Sequence, residues 1–106
     1  MFDEHWNKSV EVCGLVTLDD LVVSLPNRSL DPTNSFVMSS EDILAYGDNI
    51  KALWHTHPSN DPNLSIADYK SFIQYPNYLH IVVVQNGYVV YAVSDSIVLI
   101  REKVLS

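Results

Sequence analysis

Two histidines, a serine and an aspartate sit close together in the run HTHPSNDPNLSIAD, which begins at His55. In an extended strand, residues i and i+2 point to the same side, whereas on a helix they lie about 200° apart. The approach Ile50-Lys51-Ala52-Leu53-Trp54 carries no helix punctuation and reads as extended. Leu53, His55 and His57 then share one face of a strand, with Ala52, Trp54 and Thr56 on the other. Pro58 lacks an N–H and ends the strand just past the second imidazole. The polar stretch 59–64 reads as a loop, Ser65 as the cap of a following helix, and Asp68 as a residue of that helix's first turn. Two imidazoles at a strand end and a carboxylate at a helix start make a three-ligand set for zinc. The fourth position is left to water, the arrangement of a catalytic rather than a structural site.

Each piece also has a plainer explanation. A His-x-His pair suits a sheet edge, and Ser65-x-x-Asp68 is a capping-box pattern that needs no metal. The joint spacing is what carries information: His55-Thr56-His57, seven residues, Ser65, two residues, Asp68. That spacing, without gap or insertion, resembles the signature of the JAMM/MPN zinc metallopeptidases, H-[ST]-H-x7-S-x2-D. The family places a glutamate upstream, before a Cys-Gly-Leu-type strand. Here Glu11-Val12-Cys13-Gly14-Leu15-Val16 matches it, so the resemblance spans about residues 9–85.

The resemblance implies an α/β fold of the MPN/JAMM type (cytidine-deaminase-like), a mixed β-sheet flanked by helices in a single domain over 1–106. It implies Zn2+ held by His55, His57 and Asp68. Glu11 is then the general acid/base and Ser65 the donor to the oxyanion of a peptide or isopeptide bond under hydrolysis. Thr56, facing away from the ligands, is expected to pack. Within the family, the Glu-x-Cys-Gly-Leu-Val strand and the N-x4-P-x3-F segment (Asn27, Pro32, Phe36) look most like prokaryotic and phage members. In particular they resemble the amino-terminal domain of lambda-type phage tail assembly proteins, which is often followed by an NlpC-type peptidase domain; none is read in these 106 residues, which leaves a single-domain protein and an excised domain both open. The expected partner is a peptide or protein substrate, a phage tail protein or a ubiquitin-like or sulfur-carrier protein. A deconjugating enzyme and a non-catalytic scaffold in tail assembly stand as alternatives, although all five signature positions are intact here. RadC-type domains share an H-N-H-P-S-G stretch, but the Glu11–Leu15 strand fits them poorly.

Composition narrows the classes further. With 106 residues, 47% hydrophobic and 18% charged, the chain is long enough for one domain around one core. A net charge of −7, with six Lys plus Arg scattered along it, gives no phosphate-binding surface, so no nucleic-acid partner is expected. One cysteine allows no internal disulfide, and no apolar run approaches the length of a membrane span. The start Met1-Phe2-Asp3-Glu4 lacks a signal-peptide layout. A bacterial or phage-infected host cytoplasm is the expected setting. Cys13 reads as a small buried residue, with a Cys-His nucleophile as its rival role.

The elements that must position these groups follow in order. Residues 2–9 form a short helix or an irregular lead-in, with Trp6 as a core or groove anchor and His5 solvated. Strands are predicted over 10–17 and 21–25, turning at Asp19-Asp20, and Glu11 starts the first of them. A polar loop over 26–35, either a mere connection or one wall of a substrate groove, leads into a short strand at 36–38. A helix capped by Ser39-Ser40 runs to about Tyr46 and stops at Gly47. After the 50–57 strand, the helix from Ser65 runs to about Ile73. Residues 79–84 are too apolar to be half exposed and read as a central strand, with His80 in a core or edge role. Asn86-Gly87 is the expected hairpin turn. Strands over 88–93 and 96–101 complete the chain.

Overall fold

A computed structural model describes residues 2–105. Six strands make one mixed sheet: β1 (Cys13–Val16), β2 (Val22–Leu25), β3 (Ala52–Thr56), β4 (Leu79–Val84), β5 (Gly87–Ser94) and β6 (Ile97–Leu105). Their spatial order is β2-β1-β3-β4-β5-β6. Only β3 and β4 run parallel, joined through helix α2 (Ile66–Gln74); every other neighbour is antiparallel. Helix α1 (Ser40–Leu44) lies between β2 and β3 in sequence. The chain is therefore of the α/β class. Among the described residues, no helix is long and apolar enough to cross a membrane.

The period-2 pattern of the strands sorts the side chains onto two faces. On one face, Leu15 and Leu53 pack with Ile43 of α1, and Val82, Val89 and Tyr91 pack with Phe72 of α2. Both helices thus cover the same side. The opposite face holds Ala52, Trp54, Ile81, Val83 and Val90, and Phe2 from a short 3-10 turn closes over them. Phe2 meets Trp54 at 5.8 Å and Tyr88 at 5.5 Å between ring centroids. Each fully buried side chain of this size contributes roughly 1.5–3 kcal/mol of transfer free energy. Gly14 in β1 has a steric reason: an added Cβ would fall 1.9 Å from the Val23 carbonyl oxygen and 2.7 Å from the Trp54 ring.

The central position of β4 and the N-caps of both helices, Ser39 and Ser65, match the sequence reading. Ser39 caps α1, and Gly47 follows it with φ +55°. Four expectations need correction. The strand over 36–38 does not form, because Val37 spends its N–H on Asn27 Oδ1 (3.0 Å) and its carbonyl on Arg28 N–H (2.8 Å). That local pairing leaves the segment no ladder to join. β1 begins at Cys13, so Glu11 precedes it. The β4–β5 turn is Gln85-Asn86, with Val84 opposite Gly87; Gly87 opens β5 at φ +152°, where a Cβ would strike the Val104 carbonyl. The mirror-image turn chemistry belongs instead to Asp95 (φ 51°) and Ser96 (φ 64°) at the β5–β6 hairpin. That hairpin carries β6 on to Leu105, past the expected end at residue 101.

Candidate metal centre

The end of β3 lies where the sheet changes sense, with antiparallel β1 on one side and parallel β4 on the other. In α/β sheets, ligands bind at such carboxyl ends of strands. His55 is the fourth residue of β3, paired with Cys13 and Val82, and its ring is 1% exposed. The Phe36 ring stacks on it at 4.1 Å, and Phe72 meets it edge-on at 6.1 Å. His57 lies one residue past β3, yet its N–H still donates to the Val83 carbonyl (2.9 Å). Its Nδ1–H donates to the Asp61 carbonyl at 2.7 Å. In the neutral ring that bond leaves the nitrogen lone pair on Nε2, which faces His55 and Asp68.

Asp68 satisfies both explanations of the Ser-x-x-Asp pattern at once. Its backbone N–H donates to Ser65 Oγ (3.1 Å), and its Oδ2 accepts from Ser65 N–H (2.9 Å), a full capping box. The same carboxylate sets Oδ1 3.0 Å from His55 Nε2 and Oδ2 3.1 Å from His57 Nε2. The two Nε2 atoms are 3.1 Å apart. A four-coordinate divalent ion with bonds of about 2.0–2.2 Å needs its donor atoms roughly 3.3 Å apart. The two imidazole nitrogens therefore already stand close to the spacing of two corners of a tetrahedron, and each has a carboxylate oxygen of Asp68 at a similar distance. Glu11 joins them: one donor atom from each of Glu11, His55, His57 and Asp68 lies within 4.8 Å of all the others. All four residues are buried. Glu11 Oε1 is buried with no hydrogen-bond partner, the one such side-chain atom among the described residues. A buried carboxylate oxygen left unpaired costs free energy, and an ion or its water among these donors would relieve that cost. This buried group of Glu, His, His and Asp fits a metal ion.

Burial and neighbouring charges shift these four groups in different directions. For Asp68, burial opposes ionisation, but the two imidazoles beside it and the hydrogen bond from Ser65 N–H outweigh it and hold the carboxyl well below the usual range. Burial pushes His55 down, keeping it neutral and able to offer a lone pair. His57 feels the same penalty, but the partners Asp68 and Asp61 raise it overall. Burial pushes Glu11 up to about 7, opposed by His57 and assisted by Asp68 and Asp31. A cation among the donors would draw it back toward the base form.

One side of the centre is open. A cleft of about 200 Å³ is lined by Glu11, Thr33, Asn34, His57, Ser59 and Ser65, among others. The 26–35 loop thus forms part of its wall. Ser65 is exposed at the lip; its Oγ accepts the capping bond, which leaves the hydroxyl proton to donate.

The other candidates fall outside the centre. Cys13 is fully buried beneath the Leu25 and Pro26 carbonyls, and burial pushes its thiol up to about 12, which removes it as a nucleophile. His80 bonds the Tyr75 carbonyl at 2.8 Å and stacks on Phe72. Thr56 packs as expected, and its Oγ1 also accepts from Val12 N–H (2.9 Å). Trp6 is half-buried and anchors the site from outside, donating from Nε1 to the His57 carbonyl at 3.0 Å. Sequence reasoning gave no role to Asp61, whose carbonyl orients His57, nor to Phe36, whose ring covers His55. Phe36 belongs to the N-x4-P-x3-F pattern, which was a usable signal. A carbonyl contact such as that of Asp61 leaves none. Set against known protein families and curated proteins, the chain matches no family model and no curated sequence.

Proposed function

We propose that this chain is a zinc-dependent peptidase or isopeptidase of the JAMM/MPN type, built on the MPN fold, acting on a peptide or protein substrate. The observation that carries the reading is Glu11 Oε1: a buried, unpartnered carboxylate oxygen beside three converging donors and an open cleft. His55, His57 and Asp68 would hold the ion, a two-nitrogen, one-oxygen set of the kind zinc takes in catalytic sites. Bound there, zinc would supply Lewis acidity toward the scissile carbonyl and a water acidified to near neutral pH. The chain's own groups do the rest. Glu11 accepts the water's proton and returns it to the leaving amine, which requires a carboxylate near its own pKa in a site that limits solvent. Ser65 donates its hydroxyl to the oxygen that gains charge as the carbonyl becomes tetrahedral. Asp61 and Trp6 keep the His57 ring and backbone from turning. A place in phage tail assembly rests on the sequence resemblance alone.

Elemental analysis of tag-free protein beside an Asp68→Ala control tests the reading. About one zinc per chain, absent from the control, is the expected result. Protein that takes up no zinc after dialysis against the metal would turn the reading toward a scaffold that retains the motif without its chemistry.

A further inference from the structure

We propose that Asn27 is a positioning residue for Glu11, fixing the general base against the metal centre through one side-chain amide. The inference rests on the assignment of Glu11 to proton transfer. Glu11 lies before β1, so no strand ladder holds its backbone. A loop holds it instead. Its N–H donates to the Pro32 carbonyl at 2.6 Å, and its carbonyl accepts from Asn27 Nδ2 at 2.9 Å. The second N–H of the same amide donates to the Ser35 carbonyl (3.1 Å), while Oδ1 accepts from Ser29 N–H and Val37 N–H, each at 3.0 Å. Asn27 therefore uses its whole hydrogen-bonding capacity, two donors and two acceptor sites.

These bonds close residues 27–37 into a unit. Arg28 N–H to the Val37 carbonyl (2.8 Å) shuts the loop at its base, and Asn27 ties that base to Glu11. The same unit carries Thr33 and Asn34 of the cleft wall and Phe36 on the His55 ring. On the other side of Glu11, Val12 is clamped to Thr56 by two bonds, through Thr56 Oγ1 (2.9 Å) and Thr56 N–H (2.8 Å). Glu11 thus bridges a regular strand and a closed loop, and Asn27 is the side chain that joins them. No other residue type offers the same contacts from this position. Aspartate has the shape but would set carboxylate oxygens against the Glu11 and Ser35 carbonyls.

The test is a double-mutant cycle, reading kcat/KM on a pool of quenched-fluorescent peptides together with zinc content. Asn27→Ala and Asn27→Asp are each made alone and in the Glu11→Gln background. Asn27→Asp is isosteric and keeps the acceptor bonds while removing both donor bonds, and urea unfolding of each variant establishes that it is folded before its kinetics are read. Each change alone is expected to lower kcat/KM about 10–100-fold with zinc retained, as for other residues that orient a reacting group. In the Glu11→Gln background the further loss is expected to shrink to less than about 3-fold, because a residue acting through Glu11 has nothing left to position. Equal losses in both backgrounds, or no loss in either, would overturn the positioning role while leaving the peptidase reading intact. Wild type and Glu11→Gln that cleave equally, or a wild type that cleaves nothing, would remove both together.

Discussion

The three donors and the fourth carboxylate reach the same point by different structural means. His55 is set by ladder bonds on both sides of β3, and Asp68 by a capping box that locks the first turn of α2. His57, one residue beyond the strand, borrows a last ladder bond from Val83. Glu11 has none of this: an irregular loop holds it through Asn27 and Pro32. Groups that bind an ion need fixed spacing, which regular elements supply. A group that moves a proton must face both the ion and the substrate. Under the proposed function, placing the base where a loop meets the sheet lets it and the cleft wall be set together. The two halves should fail separately.

The largest effect is expected at the regular half. Asp68→Ala removes a charged donor and one arm of the cap, so zinc should be lost on dialysis and activity with it. The cap contributes about 1 kcal/mol. A variant that kept full zinc and only unfolded earlier would show that the carboxylate serves the helix alone. Glu11→Gln comes next: zinc content is expected to stay near one per chain while turnover falls about two to four orders of magnitude. Loss of zinc in that variant would make Glu11 a ligand and erase the distinction between the halves. Ser65→Ala touches both functions of one hydroxyl. It should lower kcat by about 10²-fold through the missing oxyanion donor and stability by roughly 0.5–2 kcal/mol through the missing cap acceptor. Urea unfolding and steady-state kinetics on the same preparation separate the two.

The regular half was legible in the sequence because its geometry is periodic. The i, i+2 spacing of His55 and His57 and the i, i+3 spacing of Ser65 and Asp68 state a face and a first turn without reference to anything distant. Glu11 was legible only through its resemblance to a family pattern, and it precedes the strand it was expected to start. The loop was readable as polar and irregular, yet the partners of Asn27 lie 16 residues upstream and 8 residues downstream, across contacts that no local rule encodes. The slip at Gln85-Asn86-Gly87 has a similar origin. Gly87 is needed because it leaves the turn at φ +152° and because β6 crosses close to it at Val104, not because it is one of the two central turn residues.

His80 sharpens the comparison by being a buried histidine with no role at the centre. It shares a face with His55, sits on the adjacent strand and is 2% exposed, but its Nε2 meets the Tyr75 carbonyl instead of converging with other donors. Burial pushes it from 6.5 down to about 4, with the Tyr75 bond opposing that and His55 assisting it. A histidine with a depressed folded-state pKa favours the native state while it is neutral. Its contribution is therefore present above about pH 6.5 and is lost as pH falls toward 4. A shift of this size corresponds to up to about 3 kcal/mol. His80→Gln retains a donor for the Tyr75 carbonyl and cannot take up the proton. Metal-free wild type should lose stability in urea between pH 6.5 and 4.5, and the variant should lose less. Parallel curves for the two proteins would assign the acid sensitivity to the metal donors, and the contrast between a ligand histidine and a core histidine would then fail as a guide to this fold.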